Sequence, residues 1–341
     1  MLSDTIKSLV ENEGLIFVGI VPLSVESDFA VFSEWLALGF QGSMHYLMKN
    51  AELRKDPRKI FPGAKTAILV GVSYFQGDTY ESVVSCKKPS FAQFSRITDY
   101  HDLIKKGGAN VIERLSSLGD KSFFGRVFVD SAPILERSLA RKSGYGIIGK
   151  NRCFSSKEYG SFVVLGEIIS TISLQEIGLT PLDDTASPSA GCQKCDACLR
   201  VCPTKALSTG YLDARKCLSY WTIENRNAVP KDLWPYFRHY VFGCDLCQLV
   251  CPMNANVPIA HSINALPRSF ESFSLFDLAT INHDTFFSCF STTPVSRIGI
   301  DGLRYNALIA MFATNDPSLQ EALKHLRKDP SPKMKVLLED F

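Results

Sequence analysis

The chain has 341 residues, 45% of them apolar and 21% charged, with a formal net charge of +2. That length exceeds a usual single core of about 100–200 residues, so two or three domains are expected. A balance so close to neutral excludes a globally basic nucleic-acid binder and leaves room only for a local basic surface.

The opening residues, MLSDTIKSLVENEGL, lack the basic start, long apolar core and small-residue cleavage site of a secretory signal. Apolar Ile6, Leu9, Val10 and Leu15 set among charges predict a short amphipathic helix instead. The longest apolar run, AILVGVSYF over 67–75, is far short of the roughly 20 residues of a membrane span. A cytoplasmic protein with no membrane contact is expected.

Strand-like and helix-like segments alternate through the first 180 or so residues. KTAILVGVSY over 65–74 follows the Pro62-Gly63 turn signal, GRVFVD over 125–130 alternates Val127 and Val129, and SFVVLGEIIST over 161–171 reads as a buried strand. Helices are predicted over 101–119 and 131–146. In the second, Pro133 falls in the first turn, Leu135 and Leu139 share a face, and Gly144 is a stop. The alternation argues an α/β layer. Asp130 closes the strand RVFV and meets the next helix, which suits either a helix N-cap or a group facing a ligand. As a general acid it would need desolvation strong enough to offset a helix N-terminus, which favours the carboxylate. Gly144, Gly146 and Gly149 spell a literal G-x-G-x-x-G, but the run follows a helix rather than a strand and so makes a poor dinucleotide site.

A Pro-, Ser-, Thr- and Asp-rich stretch over 179–191 reads as a linker. Eight of the eleven cysteines follow, between Cys192 and Cys251, in C-x-x-C spacing that suits metal binding better than disulfides. Cys86, Cys153 and Cys289 are scattered and read as plain thiols. C-x-x-C-x-x-C-x-x-x-C-P wraps three corners of an iron–sulfur cubane and sends its fourth cysteine to a second cluster. A zinc site would leave the third cysteine and the C-P pair surplus. Cys192, Cys195, Cys198 and Cys251 are therefore expected on one [4Fe-4S] cluster, and Cys202, Cys244 and Cys247 on another. The eighth thiolate is assigned to Cys217, in the long insertion between the two half-motifs.

That insertion carries Tyr211, Tyr220, Trp221, Trp234, Tyr236, Phe237 and Tyr240, and 194–240 holds eight Lys/Arg against four Asp/Glu. Such a stretch is either a surface for unpaired nucleotides or a packed aromatic core with a charged rim. Helical periodicity returns at 299–314 and 317–329, with Asp316 as N-cap and Pro317 at the first helical position. The pair suits one unit of a helical-repeat stack or a plain hairpin.

Together PGAKTAILVGVSY, DYH (99–101), VDSAPILERSLARKSGYGIIGKN, YGSFVVLGEI, the eight cysteines, LDARKCLSYWT, VFGCDLCQLVCPMN and GLRYNALIA resemble the epoxyqueuosine reductases, collinearly over nearly the whole chain. The resemblance implies an α+β, multi-domain chain: an α/β cobalamin-binding catalytic domain over 1–180, a ferredoxin-like double [4Fe-4S] domain over 181–262 and a C-terminal HEAT-like helical element that holds tRNA over 263–341. It implies reduction of epoxyqueuosine to queuosine in tRNAs with GUN anticodons, with electrons from an external low-potential donor passing through two clusters to cobalamin. It makes Asp130 the acid and places cobalamin against Arg54, Arg96, Asp130, Phe154, Leu165, Ser219 and Asp245, in a monomer. The sequence departs from the family pattern at Ile97, Ile147 and Met253, around the implied corrin pocket. An electron-transfer module and a reductive dehalogenase are the competing readings.

Overall fold

The computed structural model of the chain describes residues 2–118, 123–181, 192, 194–260, 272–328 and 330–341. Residues 182–191 of the expected linker, and the boundary expected at 262, lie outside them.

The front half is built on one four-stranded sheet. Its strands are β1 (Ile16–Pro22), β2 (Thr66–Ser73), β3 (Gly125–Phe128) and β4 (Val163–Ser170), in the spatial order β1-β2-β4-β3. All three predicted strands are present, and β1 is an addition. Every pairing is antiparallel, from Ile16 opposite Gly71 to Phe128 opposite Glu167. Alternating strands and helices are more often joined by parallel pairing, and periodicity alone does not distinguish the two.

β2 is buried along seven of its eight residues because both of its faces are covered. Ile68, Val70 and Val72 point to one side and pack with Ile6, Val10, Ile104 and Val111 from the helices Leu2–Asn12 and Tyr100–Ser117. Ala67 and Leu69 point to the other, against Leu139 and Ala140 of the helix Glu136–Lys142 and against Phe154. This is the period-2 alternation of a strand placed between two helical layers.

That second helix is shorter than expected. It starts at Glu136 after an N-cap at Leu135, so Pro133 lies in the turn ahead of it and Asp130 is not its cap. Gly146–Ile148 pairs with Phe154–Ser156 in a small hairpin. A Cβ on Gly146 would come within 2.4 Å of the Ser155 carbonyl oxygen. Close strand approach therefore explains the middle glycine of the G-x-G-x-x-G run.

The insertion and the C-terminal helices share one apolar core. It takes in Leu218, Trp234, Phe237, Tyr240 and Phe242 together with Leu278, Phe290, Leu303, Leu308, Leu323 and Met334. Tyr220, Trp234, Phe237 and Tyr240 are buried. Most of the insertion's aromatic rings are thus core, and a nucleotide-stacking role falls away for these four. The helix Gly299–Ala313 runs through the middle of this core. The next begins at Leu319 rather than at Pro317, because the Asp316 side chain accepts from the Ser318 N–H and forms a turn before the helix.

Helix Tyr100–Ser117 approaches the sheet closely at a Gly107-Gly108 step. A Cβ on Gly108 would meet Val127 Cγ2 at 2.7 Å, and one on Gly107 would meet Leu15 Cδ1 at 2.9 Å. Gly108→Ala gains up to about 1 kcal/mol of helix propensity but overpacks this contact at about 1–3 kcal/mol. A lowered Tm by thermal melting is the expected result; a raised one would show that Val127 yields freely.

Candidate functional site

Asp130 lies in a strained turn just beyond β3. Its φ is +49°, and the N–H of Ser131 donates to the carbonyl of Val129 at 2.5 Å, across a single residue. A γ-turn with positive φ is rare and is held only where its surroundings over-determine it. The turn projects the carboxylate into a cavity of about 240 Å³.

The cavity wall is assembled from distant segments. Phe94 comes from the 3-10 turn Gln93–Arg96, and Tyr100 and His101 from the start of the helix Tyr100–Ser117. Ile223 and Glu224 come from the π-helical turn Tyr220–Glu224, Phe242 from the strand Tyr240–Phe242, and Ser296 and Arg297 from the 3-10 turn Pro294–Ile298. π-turns are uncommon and recur at functional sites. Here one aims Glu224 at Arg297, with nitrogen and oxygen 2.9 Å apart.

Three donors surround Asp130 Oδ2. The Tyr100 hydroxyl donates to it at 3.2 Å, while His101 Nε2 and Arg297 Nη1 each stand 3.6 Å away. The latter two are charge contacts rather than hydrogen bonds. Asp99 caps the helix by accepting the His101 N–H at 3.0 Å, and its Oδ1 lies 2.6 Å from His101 Nδ1. The imidazole is thus fixed between two carboxylates. Asp130 and Asp99 raise its pKa to about 9, with burial opposing. His101 and Arg297 hold the Asp130 carboxyl below the usual carboxylate range, although burial pulls the other way. The expected desolvation of Asp130 is present but outweighed, so in this state the proton rests on His101.

Behind Asp130, Glu167 of β4 is buried with Oε2 unpartnered, and burial raises its proton affinity well above the ordinary value.

The eight cysteines separate by electrostatic neighbourhood. Burial raises the Cys198 and Cys251 thiols; Cys192 and Cys195 act on both, and Cys251 also acts on Cys198. Burial likewise raises Cys217, Cys244 and Cys247, whose neighbours include Cys202 and one another. Cys153 lies beside Cys247, and burial pushes its thiol up to about 12. Among the described residues, no three His, Cys, Asp or Glu side chains converge on one point as a single metal ion requires. The separate corner ligands of a cubane have no such need.

The remaining sequence-derived positions come from several separate elements of the chain. Arg54 is buried with Nη1 unpartnered. Arg96 is paired with Asp78 while its Nε lacks a partner. Phe154 and Leu165 belong to the apolar core on the face of the sheet that carries Phe128. Ser219 directly precedes the π-helical turn. Asp245 is buried, accepts the Gln93 N–H at 2.7 Å, and is pushed up to about 6 by that burial. Ile97 is a core residue, and Ile147 and Met253 are half-buried. Sequence reasoning gave no role to Tyr100, His101, Glu224 or Arg297. DYH carried a usable signal, an aspartate capping a helix whose second residue is a histidine. Arg297 and Glu224 had none, because only tertiary packing brings them to Asp130.

A family model described as "4Fe-4S double cluster binding domain" matches residues 191–254, and one described as "Epoxyqueuosine reductase QueG, DUF1730" matches residues 54–131. The epoxyqueuosine reductase of Pseudomonas aeruginosa is 35% identical over 338 residues, 97% of this chain and 91% of that protein. That of Escherichia coli is 33% identical over 93% of this chain and 82% of its own length. Among solved structures, epoxyqueuosine reductase from Bacillus subtilis superposes with a TM-score of 0.83 at 24% identity, covering 99% of this chain and 89% of that one. An epoxyqueuosine reductase with an epoxyqueuosine-modified tRNA stem loop gives 0.80 at 24% identity, with the same coverages. These two speak to the fold, while the curated relatives, matched along nearly their whole length, speak to descent. The chain belongs to the epoxyqueuosine reductases, a family of oxidoreductases.

Proposed function

We propose that this member reduces epoxyqueuosine to queuosine at the wobble position of tRNAs with GUN anticodons, taking electrons from an external low-potential donor through two [4Fe-4S] clusters to cobalamin. The reaction consumes two electrons and two protons and releases the epoxide oxygen as water. The observation that carries this reading is Asp130, held by a strained turn at a cavity beside a histidine that stores a proton. A relative crystallised with an epoxyqueuosine-modified tRNA stem loop supports RNA as the substrate carrier.

In this reading Cys192, Cys195, Cys198 and Cys251 hold one cluster, and Cys202, Cys217, Cys244 and Cys247 the other. The double-cluster domain match and the sorting of the thiols both support the assignment. The domain layout proposed with it is catalytic over 1–180, cluster-bearing over 181–262 and helical, HEAT-like and tRNA-holding over 263–341.

Arg54, Arg96, Phe154, Leu165, Ser219 and Asp245 would hold the cobalamin. Arg54 Nη1, Arg96 Nε, Ser155 Oγ beside Phe154, and Nε2 of Gln93, whose N–H meets Asp245, are all buried and unpartnered. Buried polar atoms normally find partners, and the amide-rich rim of a corrin supplies both donors and acceptors, so these residues fit the group. When bound, cobalamin supplies a strongly reducing centre able to attack carbon. Asp130 would face the oxygen that leaves the substrate. His101 holds the proton that this oxygen needs, the Tyr100 hydroxyl fixes Oδ2, and Asp99 fixes the ring.

Asp130→Asn should lower turnover by roughly 10²–10⁴-fold while reconstituted protein keeps its cobalamin absorption; loss of the bound cofactor would make Asp130 structural. Cys217→Ala should leave about half the wild-type iron, one of two clusters, since each iron takes one thiolate. Full iron content would remove Cys217 from the ligand set.

His101 carries its proton below about 9 and loses it above. Turnover should therefore decline as pH rises through about 9, and His101→Gln should abolish that limb of the profile. A limb unchanged in the variant would exclude His101 as the proton store.

A further inference from the structure

Arg297 has two carboxylates to answer and satisfies them unequally. Its Nη2 lies 2.9 Å from Glu224 Oε1, within hydrogen-bond range, whereas Nη1 stands 3.6 Å from Asp130 Oδ2. One edge of the guanidinium is anchored while the other is held only by charge. The side chain is 43% exposed and lines the same cavity as Asp130.

The charge of that cavity is one-sided. Asp99, Asp130 and Glu224 face His101 and Arg297, three potential anions against two cations. Tyr100 adds a neutral donor, and Glu136 adds a further carboxyl near Asp130. A nucleotide entering here brings a phosphodiester with it, and that charge must displace or neutralise something. The half-held edge of Arg297 is the donor most readily turned to it, since a guanidinium matches a phosphate in two-point geometry.

We propose that Arg297 is a positioning residue that the phosphate of the incoming nucleotide draws away from Asp130, tying the readiness of Asp130 to donate a proton to the presence of RNA. This rests on the reading of the chain as a tRNA-modifying reductase. Asp130 and the phosphate compete for one cation, so a protonated Asp130 releases Arg297 to RNA. By reciprocity, RNA that holds Arg297 favours the proton on Asp130. An enzyme without RNA then keeps its acid ionised and unreactive, and the acid is armed where the substrate lies.

The test is a double-mutant cycle on binding of an unmodified GUN anticodon stem-loop RNA to the reconstituted holoprotein. Fluorescence anisotropy at several salt concentrations reads affinity and salt slope without requiring any epoxide chemistry. Arg297→Gln should weaken binding roughly ten-fold and reduce the salt slope by about 0.7, one phosphate contact on single-stranded RNA. Arg297→Lys should restore the slope. Asp130→Asn, which mimics the protonated acid, should tighten binding several-fold in the wild-type background and not at all in Arg297→Gln. Tightening of equal size in both backgrounds, or wild-type affinity and slope in Arg297→Gln, overturns the inference and leaves the functional reading standing. Wild-type protein that binds no RNA overturns both. A melting temperature of Arg297→Gln close to wild type separates lost contact from lost fold.

Discussion

One buried amide fixes how the parts of this molecule meet. Asn306, inside the helix Gly299–Ala313, donates through Nδ2 to the carbonyls of Thr222 and Val241, each at 2.9 Å. Thr222 belongs to the π-helical turn that presents Glu224, and its hydroxyl in turn accepts the N–H of Gly243 at 2.9 Å. Val241 precedes Cys244 by a few residues. The helix Gly299–Ala313 therefore sets the turn that aims Glu224, the strand that leads to three cysteines, and, through its own start at Gly299, the position of Arg297. Buried donors and acceptors left unpaired cost about 1–3 kcal/mol each. This network is thus stiff in a way that apolar packing alone is not.

The same geometry bears on the proton and electron chemistry proposed for this chain. Asp130, His101 and Arg297 line one cavity, while Cys244 packs against the apolar core that holds Tyr240 and Phe242, and burial raises its thiol along with those of Cys217 and Cys247. The insertion that separates the two cysteine motifs is part of the shared core rather than an excursion. It lends Glu224 to one side and Cys217 to the other within a short stretch of chain.

Much of this was legible in the sequence, for identifiable reasons. Ligand spacing is a local requirement, so C-x-x-C-x-x-C-x-x-x-C-P pointed to the double-cluster domain that the family match bears out, and the proposed eighth ligand, Cys217, comes from the same count. Strand positions followed from apolar runs, because β2 and β4 are buried on both faces. Strand direction did not follow, since antiparallel and parallel strands obey the same period. Asp130 could be singled out by its place after a strand, but its proton affinity could not, because that is set by His101 and Arg297 from remote segments. The aromatic insertion shows the opposite limit. Composition favoured a packed core over a nucleotide platform without excluding the latter, and burial of Trp234 and Phe237 decided for the core.

The left-handed backbone at Asp130 has a consequence for what this position can become. Few side chains accept positive φ, and Asp and Asn are among those that do so at least cost. The turn therefore screens residue types before any chemistry is asked of them. It passes an acid and its nearest inert isostere, and it disfavours the longer glutamate and the bulkier alternatives. Under the role proposed for Asp130, mutational drift at this site is channelled toward a switch between a proton donor and its inert isostere, with few intermediate grades open to it.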